Sequence, residues 1–279
     1  MRVFMTGAKG QLGRALQAAL AAHAVVATDV DTVDITDARA LSAAVEAARP
    51  DAVVHLAAMT DVDGCARDPE LALTINALGT HHVALACQTH DLPVLYVSTN
   101  EVFDGAQDRP YYEWDRPRPV NAYGYSKWAG EEYVRSLSRR YYVVRTAWLF
   151  GPGGHNFIHK ILSAAAQGAP LRVVADEVGS PTHVIDLAAA IAALLGTGHY
   201  GVYHLVNAGI CSRYDFARRA LDLAGYENTP ITPITLADFP RASTPPPYTP
   251  LHNFVGRSLG ITLRPWQEAL TEFIESEAA

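Results

Sequence analysis

Cysteine is scarce in this 279-residue chain, which carries only Cys65, Cys87 and Cys211. The number is odd and no Cys-x-x-Cys spacing occurs, so a disulfide framework or a structural zinc site has little support and the thiols are expected to be reduced. Positive charge is also in short supply, with 22 Lys and Arg against 29 Asp and Glu for a net charge of −7. Nucleic acid and anionic membrane surfaces both require a basic face, so neither is expected as a partner. Long hydrophobic runs are missing as well: Gly, His or a charge interrupts each one well before the roughly 18 residues that a spanning helix needs. The opening MRVFMTGAKG enters a short apolar run and a glycine turn directly, without the apolar stretch and small-residue cleavage site of an export signal. These absences together lead us to expect a cytoplasmic protein in a reducing compartment.

What the chain does contain is alternation. Hydrophobic residues make up 49% and charged residues 18%, an ordinary globular balance with room for one large domain or two closely joined ones. RVFMT, VVATD, DAVVHLAA, PVLYVST and YYVVRTAW read as strands, several apolar on both faces and therefore buried. LGRALQAALAAH, DARALSAAVEAARP, ELALTINALGTHHVALACQTH and the segment from Asn121 carry helical periodicity between them. Strands joined by helix-length connections predict an α/β fold with a parallel, doubly wound sheet. Beyond GPGG the units shorten, with helices expected at Asn156–Gln167, His183–Leu195 and Tyr214–Ala224. The Pro-rich stretch Thr229–Pro250 is expected to be irregular.

Gly7, Gly10 and Gly13 of TGAKGQLG fall between the first strand and the first helix. There, backbone N–H groups and a helix N-terminus can meet a dinucleotide pyrophosphate. Asp29 ends the second strand, where a carboxylate can bond the adenosine ribose, and it repels a 2′-phosphate. Val30, Asp31 and Thr32 supply no arginine to bind one, so NAD(H) is favoured over NADP(H), with Arg14 as the reservation. In NAYGYSKWAGEE, Tyr123 and Lys127 lie four residues apart and share one helix face. A neighbouring ammonium is expected to favour the phenolate and pull the phenol below its reference value of about 10. Thr99 closes PVLYVST at the carboxyl edge of the sheet, from which its hydroxyl could hold a substrate oxygen beside Tyr123.

These motifs resemble the extended short-chain dehydrogenase/reductase superfamily. GAKGQLG, PDAVVHLAAMTDVDGCARDPELALTIN, STNEVFDG, RTAWLFGPGGHNF, VADEVGSPT and GVYHLVN resemble, in order and spacing, the dTDP-4-dehydrorhamnose reductase family. The resemblance implies a Rossmann dinucleotide-binding domain over residues 1–149. Residues 150–279 would then be mainly a smaller, interleaved substrate-binding region, with segments returning to the first. It implies reduction of the C4 ketone of a dTDP-4-keto-6-deoxyhexose by NADH or NADPH, with Tyr123 delivering the proton. It also implies cofactor contacts from Gly10, Gln11, Leu12, Asp29, Asp34 and Ile35, with Ala57, Ala58, Thr60 and Val97 lining the pocket beside Tyr123 and Lys127. Thr99, Asn100 and Trp148 match substrate-side positions, as do Val62 and Asn156. The sequence departs from the reductase pattern after Thr99, where Asn100-Glu101 replace Asp-Tyr. The related 4,6-dehydratases carry Asp-Glu there as acid and base. A carboxamide at Asn100 cannot donate the proton that dehydration requires, so reduction stays favoured, although Glu101 leaves substrate identity open.

Two alternatives stand beside a reductase: a nucleotide-sugar dehydratase or epimerase, and a non-catalytic cofactor-binding regulatory subunit. The retained Thr99, Tyr123 and Lys127 argue against the latter. No metal is expected, since His155 and His159 lack a third ligand and Asp61 and Asp63 read as a helix cap or turn; Mg²⁺ has no support in the sequence. Arg241 and Arg172 are candidates for the substrate diphosphate, because a planar guanidinium suits paired phosphate oxygens. The chain is expected to act as a monomer or homodimer on a nucleotide sugar.

Overall fold

The computed structural model describes residues 1–154 and 156–278. Strand β1 (Arg2–Thr6) leads into helix α1 (Gln11–Ala19), followed by β2 (Ala24–Thr28), α2 (Ala38–Ala48) and β3 (Ala52–His55). Next come α3 (Val62–Arg67), α4 (Pro69–Leu73), a π-helical turn (Thr74–Leu78), α5 (Gly79–Thr89) and β4 (Val94–Thr99). Helix α6 (Ala122–Leu137), β5 (Tyr141–Thr146), α7 (Phe157–Ala166), α8 (Val184–Leu194), β6 (Gly201–His204) and α9 (Arg213–Leu223) complete the main elements. Six strands form one parallel sheet in the order β6-β5-β4-β3-β1-β2. The order reverses at β1 and β3, the switch point where ligands bind in open α/β sheets.

Side-chain alternation decides which helices cover which face. Val3 and Met5 point to the side packed by Leu12 and Leu16 of α1 and by Leu187, Ile191 and Leu194 of α8. Phe4 points to the other side, against Leu41, Val45, Val83 and Val134 from α2, α5 and α6. Thus α8 and β6, late in the chain, belong to the core of the first region. Helix α1 can lie this close because Gly13 has no side chain: a Cβ there would sit 2.4 Å from the Gly7 carbonyl oxygen.

The helix expected across ELALTINALGTHHVALACQTH is continuous but carries the π turn in its middle. Asn76 in that turn is buried, accepts from the Met59 N–H at 2.8 Å, and donates to the Met59 carbonyl and the Ser126 hydroxyl, both at 3.0 Å. The Pro-rich stretch is more ordered than expected. Ile231–Ile234 forms a strand parallel to Leu171–Val174 in a two-stranded sheet. Pro233 is tolerated because an edge strand leaves one side's N–H positions unpaired. The chain ends with helix α11 (Trp266–Ala278), after a short α10 (Phe254–Ser258). Among the described residues no helix is long and apolar enough to cross a membrane.

Candidate active site

At the end of β1, Gly7 adopts φ +71, and a Cβ on it would meet the Ala57 nitrogen at 2.6 Å. Only glycine lets the turn press against the β3 loop at the switch point. Gly10 occupies the cap position of α1 without a side-chain cap. The first N–H groups of α1, on Gln11, Leu12 and Gly13, therefore begin the helix with no side chain satisfying them, an arrangement suited to a phosphate. The loop after β5 reaches the same place: Gln11 and Asn156 both donate to the Gly151 carbonyl, at 2.6 and 3.0 Å.

The residues expected on the ribose side are held by local bonds. Asp29 accepts from the Lys9 N–H at 2.8 Å and from the Val30 N–H at 2.9 Å. Nothing in the sequence singles out Lys9, whose ammonium forms an ion pair with Asp31. Asp34 accepts from Thr36 at 2.8 Å, and Ile35 is buried against Gly79. Ala57, Ala58 and Val97 are half-buried at the sheet edge, and Thr60 is exposed.

Helix α6 brings Tyr123 and Lys127 to this edge. Asn121 caps it, accepting from the Gly124 N–H at 2.8 Å. The same side chain donates to Glu101 at 2.7 Å and to the Thr244 carbonyl at 3.2 Å. Gly124 permits close approach, since a Cβ would fall 2.0 Å from the Glu101 carbonyl oxygen. Tyr123 thereby faces Thr99 at the end of β4, whose hydroxyl favours the phenolate. Lys127 is buried, donates to the Val97 carbonyl at 2.8 Å, and sits 4.3 Å from the centre of the Tyr96 ring.

The expected effect of the ammonium on the phenol is overturned. Burial, seconded by the Glu101 carboxylate, holds Tyr123 above its ordinary value, with the Thr99 hydroxyl only partly opposing. Burial instead acts on the lysine and lowers Lys127 to about 7, against the pull of Glu131. Desolvation here outweighs the effect of one neighbouring charge. Tyr123 is thus a protonated phenol at neutral pH, the state a proton donor must start from.

Of the residues expected on the substrate side, Asn100 adjoins Glu101 in the turn after β4. The Glu101 carboxyl is raised by burial, opposed by the Asn121 bond. Asn100 is buried, with its amide donating to the Thr249 hydroxyl at 2.7 Å across 149 residues of chain. Trp148 adopts φ +46, a strained backbone for a bulky residue that the surroundings must enforce. Arg213 stacks 3.7 Å from the centre of the indole while donating to Glu177 at 3.0 Å, and Gly179 packs against the same ring without a side chain. Arg213 was invisible to sequence reasoning, because nothing local marks it apart from the helix start that it shares with Ser212.

Asn156 caps α7, accepting from Ile158 and His159. Val62 opens α3, and its neighbour Asp63 accepts from Arg241 at 3.0 Å and from the Ser243 N–H at 2.9 Å. Arg241 therefore lies near Glu101, whose ionisation it influences. Arg172 is exposed on the outer Leu171–Val174 strand, beside Asp238. His155 lies outside the described residues, while His159 meets Glu277 at 3.1 Å. No group of three or more His, Cys, Asp or Glu that could hold a metal occurs among the described residues. The three cysteines are free and buried.

Known proteins are similar to this chain over nearly its whole length. The chain is 39% identical to a dTDP-4-dehydrorhamnose reductase of Mycolicibacterium smegmatis, over 98% of this chain and 85% of that protein. It is 37% identical to a dTDP-4-keto-6-deoxy-D-glucose reductase of Streptomyces niveus, over 97% and 96%. The crystal structure of a dTDP-4-dehydrorhamnose reductase of Bacillus anthracis in complex with NADP superposes with a TM-score of 0.95, at 37% identity and 99% coverage of both chains. Residues 1–279 match the family described as the RmlD substrate binding domain, and the chain belongs to that family.

Proposed function

We propose that this chain reduces the C4 ketone of a dTDP-4-keto-6-deoxyhexose, dTDP-4-dehydrorhamnose to dTDP-rhamnose being the first choice. The observation that carries the reading is Tyr123 facing Thr99 at the carboxyl edge of a parallel sheet, beside the uncapped glycine turn of α1. The names of similar proteins support the substrate class.

A nicotinamide dinucleotide fits the residues present. Gly7 and Gly13 let the turn pack directly on backbone, which sets the start of α1 at the switch point, and α1 offers N–H groups without a side-chain cap. Gln11, Leu12 and Gly13 would hold the pyrophosphate, and Asp29 and Lys127 the two riboses. When bound, the reduced cofactor supplies the hydride. Asp29 is retained and the Lys9 ammonium is tied to Asp31, which together favour NAD(H).

Thr99 orients the ketone oxygen, and Tyr123 gives its proton to the alkoxide that develops there. Lys127, anchored on the Val97 carbonyl, places its amino group on the Tyr123 side of the site, where its ammonium form favours the developing negative charge. Trp148 and Glu101 shape the sugar pocket, and Arg213 and Arg241 supply guanidinium groups for the diphosphate. Dehydration is disfavoured because Asn100 lacks a carboxyl and its amide already serves Thr249. The proposed setting is the cytoplasm, as a monomer or homodimer.

The test is incubation with dTDP-4-keto-6-deoxyglucose, with and without a 3,5-epimerase, following NADH and NADPH oxidation and identifying the sugar by NMR. Stoichiometric cofactor oxidation with a C4 alcohol as product is expected. A dehydrated or epimerised product without net oxidation overturns the reading.

A further inference from the structure

Tyr123, Lys127 and Glu131 recur every fourth residue along α6 and therefore form one stripe. Three consecutive residues of β4 meet that stripe. Thr99 faces Tyr123, the Val97 carbonyl accepts from Lys127 at 2.8 Å, and the Ser98 hydroxyl donates to Glu131 at 2.5 Å. The reactive pair is thus two thirds of a longer zipper, and its third member does no chemistry in the reaction above.

Glu131 is fully buried, and so, almost completely, is Arg145. Arg145 grips both carboxylate oxygens, through Nε at 2.9 Å and Nη2 at 2.7 Å, and its Nη1 donates to the Glu113 carbonyl at 3.3 Å. The Phe103 ring packs on the same guanidinium at 5.1 Å. A bidentate arginine with a third donor from Ser98 leaves the carboxylate little freedom. A buried pair of this kind is weak evidence for stability, since desolvation offsets the attraction. Its placement one helical turn behind Lys127 calls for another explanation.

Few other charges face Lys127. On β3, His55 is pushed down to about 3 by burial and carries no charge at neutral pH. On β4, Tyr96 offers only its ring face. On α3, the Cys65 thiol is raised by burial to about 11 and is also neutral. Tyr123 stays protonated, and Glu101 in the turn after β4 acts on Tyr123 and Cys65 rather than on the lysine. Glu131 is the charged group whose attraction opposes the effect of burial on Lys127.

We propose that Glu131 is a positioning residue for the proton-transfer pair: clamped by Ser98 and Arg145, it fixes Lys127 against β4 and supplies the countercharge to its ammonium. This rests on reading Tyr123 and Lys127 as that pair.

The chain has only three lysines, Lys9, Lys127 and Lys160, so protein labelled with ε-¹³C-lysine gives three titration curves, and Lys9→Gln and Lys160→Gln assign the third. Glu131→Gln keeps the size and accepts from Ser98 but removes the charge. It should move the Lys127 midpoint acidward by about 1 pH unit. Glu131→Asp, with its charge one methylene further back, should give an intermediate midpoint. The pH profile of ketone reduction should shift in the same direction. A merely structural role predicts lower thermal stability with an unmoved midpoint, and that result overturns the proposal. Where Glu131→Gln does not fold, Glu131→Asp decides alone, and an unmoved midpoint is again fatal. The NMR titration requires no substrate, so failure to reduce keto sugars would defeat the functional reading without touching this result.

Discussion

Adding a single methyl group to the glycine turn separates two glycines that look alike in sequence. At Gly13, a Cβ would stand 2.4 Å from the Gly7 carbonyl oxygen, 2.7 Å from the Ala8 carbonyl oxygen and 2.8 Å from the Ala8 carbonyl carbon. All three are backbone atoms, so no side chain can swing away and the turn itself must move. At Gly10, the nearest contact is 3.3 Å from the Gly7 carbonyl oxygen, and φ is an ordinary −66. Overpacking of the first kind costs about 1–3 kcal/mol. If the displacement falls on the N–H groups that meet the pyrophosphate, Gly13→Ala should weaken dinucleotide binding by about 5- to 150-fold. Gly10→Ala should stay within about threefold, a few tenths of a kcal/mol. Titration of NADH fluorescence measures both, with circular dichroism to confirm folding. Equal affinities in the two variants, or a Gly13→Ala protein that binds as the parent does, would refute the assignment of this turn to the cofactor.

Tyr123→Phe should reduce turnover by about 10²- to 10⁴-fold while leaving the NADH titration unchanged; parent-like turnover removes Tyr123 from the chemistry. Asp31→Ala should free the Lys9 ammonium beside Asp29 and raise the ratio of NADPH to NADH affinity several-fold, and an unchanged ratio places Lys9 outside the ribose pocket. For pH, burial lowers His55 from its ordinary 6.5 to about 3 in the folded protein, so the unfolded chain binds the proton first on acidification. Stability is therefore intact above about pH 6.5 and is lost as the pH falls towards 3, by at most about 1.4 kcal/mol per unit. Urea unfolding at pH 6.5 and 5 should show a shallower loss in His55→Gln than in the parent, and parallel losses would contradict the burial of that ring.

The parts of the site visible in the sequence are those that local geometry encodes. Tyr123 and Lys127 are four apart on a helix, Thr99 ends an apolar run, and Gly7, Gly10 and Gly13 punctuate a strand-to-helix turn. The parallel sheet was legible for the same reason. What stayed hidden depends on residues distant in the chain. Asn100 finds Thr249, Trp148 finds Arg213, and Gln11 finds the Gly151 carbonyl, and no periodicity announces such meetings. The direction of the Tyr123 shift differs from the expected one because charge spacing can be read from sequence, whereas desolvation depends on the completed enclosure. The Ile231–Ile234 strand was missed because Pro233 argues against a strand unless its edge position is known.

The π turn at Thr74–Leu78 makes this helix sensitive to counting rather than to composition. Deleting one residue would restore α-helical winding and rotate the two flanking segments against each other by about 100°, the angle per residue. Either Asn76 would then leave Met59 and Ser126, or Gly79 would leave Ile35. Point substitutions on the exposed side, at Leu73 or Leu78, disturb neither contact. In this stretch the number of residues is constrained more tightly than their identity.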